Sequence, residues 1–151
     1  MKAVIQRVTR ASVTVDGCTV GMIDGGFLVL LGIGADDTER DCERLAQKML
    51  GLRIFSDEQG KINRSLNDVG GSLLIISQFT LYADCRKGNR PSFTAAKEPR
   101  EAERLYRYFC DLCAAQGVSV QTGVFGADMS VELINDGPFT VVLECVNGEI
   151  M

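Results

Sequence analysis

Two hydroxyls that bracket an amide and an aromatic ring follow directly on an apolar run. Leu73 to Ile76 reads LLII, and Ser77, Gln78, Phe79 and Thr80 come next. Such a segment offers a nucleophile, backbone oxyanion donors and a stacking platform at the point where a buried strand leaves the core, which is where sites are commonly built. The plain alternative is a strand end whose polar residues face water, and the residue types alone favour it, since Ser and Thr are ordinary there. The chain has no histidine. Ser-His-Asp and Cys-His catalysis are therefore excluded, and so is any His-ligated metal. Backbone N–H groups at Phe79 and Thr80 could instead stabilise a developing oxyanion, a contribution of roughly 2.7–4 kcal/mol per donor. That suits an activated ester, which positioning and oxyanion stabilisation can hydrolyse without a strong base. Thr80 as a covalent nucleophile ranks second, because no base to activate it is visible.

Other chemistries find little support. No GxGxxG or Walker-type loop follows a strand, which leaves nucleotide cofactors unsupported. Carboxylates are scattered and do not form pairs suited to glycosidase or metal work. No cofactor and no metal are expected. Cys110 and Cys113 form a lone CxxC with no second pair, set late in a predicted helix and not at a helix N-terminus, so both read as core residues. All six cysteines are expected to be reduced, buried thiols, for no signal peptide precedes them and their neighbours are apolar.

The elements that must position the segment follow from periodicity. KAVIQRV and SVTV are β-rich up to Asp16-Gly17, a dipeptide suited to a tight hairpin turn, and Cys18, Val20 and Met22 continue the alternation. Phe27 to Gly34, FLVLLGIG, is apolar on both faces and predicts a central strand. Asp36, Asp37 and Thr38 supply cap candidates for a helix carrying Cys42, Leu45, Ala46, Met49 and Leu50, which Gly51 ends. LRIF predicts a short strand, and Ser56 to Gly71 a loop with a possible hairpin at Asp57 to Gly60. A second helix starts near Pro99 and runs through Ala102, Leu105, Tyr106, Phe109 and Cys113 to Gly117. Short strands are expected at Val118 to Val124 and Met129 to Ile134, with a turn at Asp136-Gly137-Pro138 leading into a last strand, Phe139 to Val146. The expected fold is α+β or mixed α/β: two β-sheets or a partly closed barrel set against two principal helices, in one domain spanning residues 1–151.

At 151 residues, 46% hydrophobic and 24% charged, the chain is long enough to bury a proper core. A net charge of −4 argues against holding nucleic acid through a general basic surface, so RNA contact has to be local. The densest cationic loop holds Arg86, Lys87, Arg90 and Lys97, although a bare charge run is usually a solvated face. No apolar run approaches the ~20 residues of a membrane span, and a cytoplasmic location is expected.

Three stretches taken together, SQFTLYAD at Ser77 to Asp84, KGNRPSF at Lys87 to Phe93 and NDGPFTVVLE at Asn135 to Glu144, resemble the D-aminoacyl-tRNA deacylases of the D-tyrosyl-tRNA deacylase type in order, spacing and total length. The resemblance covers essentially the whole chain. It implies a homodimer in which Ser77 to Leu81 of one subunit meets Gly137-Pro138 of the other, with that bond cis and its carbonyls forming a pocket that admits a D-residue. Achiral glycine would also pass. It further implies that Arg7 supports the Gly-Pro segment, that the 2′-OH of the terminal adenosine assists the chemistry, and that the partner is the 3′ end of an aminoacyl-tRNA. Phe139 stands where the family usually has Val. The implied site is Ser77, Gln78, Phe79 and Thr80 for catalysis, and Gly137, Pro138, Arg7, Lys87 and Arg90 for substrate. Two alternatives remain: a non-catalytic dimeric module binding RNA ends or a D-amino acid, and a Thr- or Ser-nucleophile esterase. No protein partner other than a second copy is identifiable.

Overall fold

The computed structural model describes residues 1–151. Its organising strand is β1, Lys2–Val15, which is long enough to serve three neighbours. Asp16 and Gly17, at φ 49 and 77, turn the chain tightly into β2, Cys18–Ile23, which pairs antiparallel with the second half of β1. Strand β3, Gly26–Gly32, pairs antiparallel with the first half of β1. The opposite edge of β1 carries β8, Ser130–Val146. Beyond β3 lie β6, Ser72–Ser77, and β7, Ser119–Thr122, both parallel to it. With β9, Glu149–Ile150, hooked onto β8, this makes a seven-stranded mixed sheet. A small hairpin, β4 Phe55–Ser56 with β5 Ile62–Arg64, forms a second sheet. The sheet curls into a half-barrel. Gly21 of β2 lies so close to β7 that a side chain there would meet the Thr122 carbonyl at 2.6 Å.

Helix α1, Glu39–Leu50, starts at Thr38, whose amide donates to the Asp41 carboxylate at 2.9 Å, and stops at Gly51. Helix α2, Pro99–Ala115, has Pro99 at its first position, where a missing N–H costs nothing. The Glu98 carboxylate accepts from the Glu101 amide at 2.6 Å. Pairs such as Arg104–Glu39 and Tyr108–Glu43 show the two helices running side by side in the same direction. Their apolar stripes cover one face of the sheet, where Ile5, Phe27, Val29, Leu45, Leu73, Ile75 and Phe109 are fully buried, each worth roughly 1.5–3 kcal/mol. A smaller cluster, Val8, Ala11, Val13, Ile23, Leu28, Leu74 and Ile76, fills the inside of the curl.

Four expectations need correcting. The chain does not turn back at Asp136 to Pro138: β8 continues alongside β1 on both sides of that point. The local Gly-Pro signal marks an interruption within one strand, because the same partner holds both halves. Cys18 and Cys85 are exposed, one on the outer face of β2 and the other in a loop; Cys42, Cys110, Cys113 and Cys145 are buried. Burial pushes the Cys110 and Cys113 thiols up to about 12, so the CxxC is inert packing. LRIF is strand only from Phe55, and the strand expected at Val118 to Val124 is confined to Ser119–Thr122.

Candidate active site

Strands β3 and β6 run parallel and end together, Leu31 opposite Ser77. Past Ser77 the chain leaves the sheet. The Gln78 amide still bonds the Leu31 carbonyl at 2.8 Å, after which Phe79–Tyr82 winds into a single 3-10 turn. This turn fits only because glycines stand at the end of β3 and two residues beyond it. A side chain at Gly32 would meet Leu81 Cβ at 2.9 Å, and one at Gly34 would meet the Tyr82 ring at 2.7 Å. Phe79 and Thr80, first in the turn, have no carbonyl behind them within it, and their N–H groups pair with no backbone or side-chain acceptor of the chain.

Ser77, Gln78 and Phe79 line a cavity of about 440 Å³, with Phe93, Lys97, Glu98 and Phe125 on its other walls. Phe79 is 58% exposed and meets Phe93 edge-on, ring centroids 5.0 Å apart. Thr80 lies just outside the lining, its hydroxyl accepting from the Gln78 side-chain amide at 2.5 Å. Lys97 ties the wall to the loop after β3, its Nζ donating to the Ala35 carbonyl at 2.6 Å.

The remaining predicted residues lie elsewhere. Between the pairs Gln6–Thr140 and Val8–Asn135, the four residues Asp136 to Phe139 bulge out opposite the single residue Arg7. The Gly137-Pro138 peptide in this bulge is cis, and both residues are exposed. Arg7 holds the bulge: its Nε donates to the Asp136 carbonyl at 3.0 Å, its Nη1 to the Ile54 carbonyl at 2.5 Å, and its guanidinium lies 4.8 Å from the Phe139 ring centroid. The aromatic ring at position 139 thus gains a cation–π contact that a Val could not make. Asn135 closes the bulge, its Oδ1 accepting from the Phe139 amide at 2.5 Å. Ser77 aligns through Leu31 and Ala3 with Leu143. Gly137-Pro138 is therefore three strands and several residues away within one chain, on the order of 20 Å.

The basic loop is a hairpin-like tip pinched by reciprocal Asp84–Ser92 backbone bonds at 2.8 and 2.9 Å. Arg86 is spent on Asp84, 2.6 Å away, an attraction that holds that carboxyl well below its ordinary range. Lys87 and Arg90 are exposed and line none of the cavity. Sequence reasoning missed Glu98 and Phe125 as cavity walls; nothing in their local pattern marks them, because α2 and the segment after β7 bring them in from far along the chain. No group of three His, Cys, Asp or Glu side chains is placed to hold a metal ion, and no helix is long and apolar enough to cross a membrane.

The curled mixed sheet and its two parallel helices form a half-barrel. It superposes with a TM-score of 0.80 on a solved structure described as a probable eukaryotic D-amino acid tRNA deacylase, at 20% identity over 93% of this chain and 97% of that one. The family model for D-Tyr-tRNA(Tyr) deacylase matches residues 4–144, and the chain belongs to that family. The D-aminoacyl-tRNA deacylase of Shewanella loihica is 58% identical over 95% of this chain and 99% of its own length. That of Thermus aquaticus is 58% identical over 95% of each. A solved structure described as c-Myc DNA Unwinding Element Binding Protein is 43% identical, with a TM-score of 0.91, over 97% of this chain and 99% of that one.

Proposed function

We propose that this chain hydrolyses the ester linking a D-amino acid to the 3′ end of tRNA, releasing free tRNA and the D-amino acid, and that glycyl-tRNA is a second substrate. The observation that carries the mechanism is the pair of unpartnered backbone N–H groups at Phe79 and Thr80 beside a cavity of suitable size. Water adds to the ester carbonyl carbon, the carbonyl oxygen becomes an oxyanion facing these donors, and the bond to the ribose 3′ oxygen then breaks. The attacking water's proton passes by way of the neighbouring 2′-OH to the departing 3′ oxygen. No side-chain base is needed, which agrees with a chain without histidine.

Selectivity in this reading comes from a second copy. Val4, Leu30 and Val142 are paired in register on the open face of the sheet, and Val142 is 67% exposed. An exposed apolar stripe of this kind on a sheet face invites a partner. A homodimer joined there would bring the Gly137-Pro138 bulge of one subunit to the Phe79 turn of the other, where its backbone carbonyls would clash with an L side chain. Lys87 and Arg90 would meet phosphates of the acceptor end. A DNA-element-binding role of the kind named for the c-Myc relative is disfavoured by the net charge of −4.

The test incubates the protein with matched D- and L-aminoacyl-tRNA and follows release of the amino acid. Release from the D-ester alone is expected. Tight binding with no release from either ester would leave a non-catalytic binding module, and equal release from both would remove the selectivity.

A further inference from the structure

Tyr82 closes the 3-10 turn that carries the candidate oxyanion donors, and three features converge on it. Its ring covers Gly34, where even a methyl group would sit 2.7 Å from Cζ and 2.8 Å from Cε1. Lys2 Nζ lies 5.0 Å from the ring centroid. Its hydroxyl donates to Asp37 Oδ2 at 3.3 Å. Asp37 is itself immobilised: Oδ2 also accepts from the Gly34 amide at 2.6 Å, and Oδ1 accepts from the Met1 ammonium at 2.6 Å. Burial first, and then the Asp37 carboxylate, push the Tyr82 hydroxyl above its ordinary pKa, so it stays a donor.

The loop that Asp37 shapes also serves the other wall of the cavity. The Ala35 amide bonds the Ala95 carbonyl at 2.9 Å, and the Lys97 amide bonds the Ile33 carbonyl at 3.0 Å. One carboxylate thus sets the end of the turn bearing Phe79 and Thr80 and the strand-end loop against which Lys97 is held. The start of the turn is fixed independently by the Gln78–Leu31 bond. A turn of four residues clamped at both ends holds its first two N–H groups in one direction; released at Tyr82, it can reorient them.

We propose that Tyr82, seated on Gly34 and bonded to Asp37, is a positioning residue for the hydrolysis, fixing the direction of the Phe79 and Thr80 N–H groups without touching substrate. This rests on the deacylase reading above. Because transition-state stabilisation depends on donor placement far more than ground-state binding does, the anchor acts on kcat and leaves KM nearly unchanged.

The test combines kinetics with amide hydrogen exchange on the free protein. Tyr82→Phe keeps the ring and removes the bond; it should lower kcat about tenfold with KM within about twofold, and should speed exchange at Leu81 and Ala83, whose amides bond within the turn. Gly34→Ala should push the ring outward and cause a similar loss. Combining it with Tyr82→Leu, which makes room for the methyl, should cost much less than the two single losses multiplied. Wild-type kcat in both single variants would overturn the proposal, as would independent, multiplicative losses in the double variant or unchanged exchange in Tyr82→Phe. Should the wild-type protein fail to hydrolyse D-aminoacyl-tRNA, the functional reading falls, and the exchange measurement alone still decides for or against the anchor.

Discussion

The Gln78 side-chain amide donates to the Thr80 hydroxyl from 2.5 Å, and no carboxylate or other base reaches that hydroxyl. A nucleophile needs an acceptor for its proton, and an amide N–H supplies none. Thr80→Ala is therefore expected to retain hydrolysis within about fivefold of wild type in single-turnover assays. Replacing the terminal adenosine by its 2′-deoxy form, with the amino acid on the 3′ oxygen, should leave binding intact and slow release by at least ~100-fold. An inactive Thr80→Ala enzyme, together with a trapped acyl adduct on the wild type, would assign the reaction to covalent catalysis.

Lys87 and Arg90 project from the pinched loop without a partner in the chain, whereas Arg86 is bound to Asp84. Lys87→Ala combined with Arg90→Ala should weaken tRNA binding and reduce the slope of log K against log salt by about 1.4, or roughly 0.7 for each phosphate of a single-stranded end. Arg86→Ala should change affinity much less. Filter-binding titrations at several salt concentrations distinguish these outcomes, and an unchanged slope in the double variant would clear the loop of phosphate contact.

Arg7 is the support of the bulge, its side chain 11% exposed and its bonds directed at two carbonyls from different parts of the chain. Arg7→Met should destabilise the protein by about 2–3 kcal/mol, the range for losing charge-assisted bonds to groups that are left unpaired. Arg7→Lys should not restore it, since one ammonium cannot reproduce the planar fork that reaches both Asp136 and Ile54. Urea unfolding midpoints at constant slope measure the effect.

Asp41 carries the one buried charged side chain. Burial is the largest influence on its carboxyl and opposes ionisation, but bonds from the Gly148 and Thr38 amides, the Thr38 hydroxyl and the Cys145 thiol outweigh it, and the net shift is downward. A carboxyl whose folded pKa lies below its unfolded value contributes stability above about pH 3.9 and loses it as pH falls through the folded pKa. Asp41→Asn should thus cost about 2 kcal/mol or more at neutral pH. The gap between variant and wild type should narrow in unfolding curves recorded below about pH 4; a gap independent of pH would mean that shape, not charge, decides.

The two helices, the β1–β2 hairpin and the central strand β3 were legible because each is written in local periodicity and turn chemistry. Ser77 to Thr80 stood out for the same reason, a change from apolar to polar at a strand end. The Gly137-Pro138 bulge was not, since a strand that pauses and resumes along one partner reads locally like a turn; only the continuity of β1 distinguishes them. The Tyr82–Asp37 bond spans 45 residues, and the cavity walls at Glu98 and Phe125 come from separate elements, α2 and the segment after β7. Exposure of Cys18 and Cys85 depends on which face of a strand or loop meets water, which residue type alone does not state.

The pairing of β1 with β8, Lys2 opposite Glu144, also has a bearing on synthesis. Strand β1 leaves the ribosome well before β8 and keeps one edge open until that strand has been translated. Contacts of such sequence separation slow folding. Throughout that interval a β-branched edge rich in Val and Ile is available to neighbouring nascent chains, and pairing with β8 is what covers it.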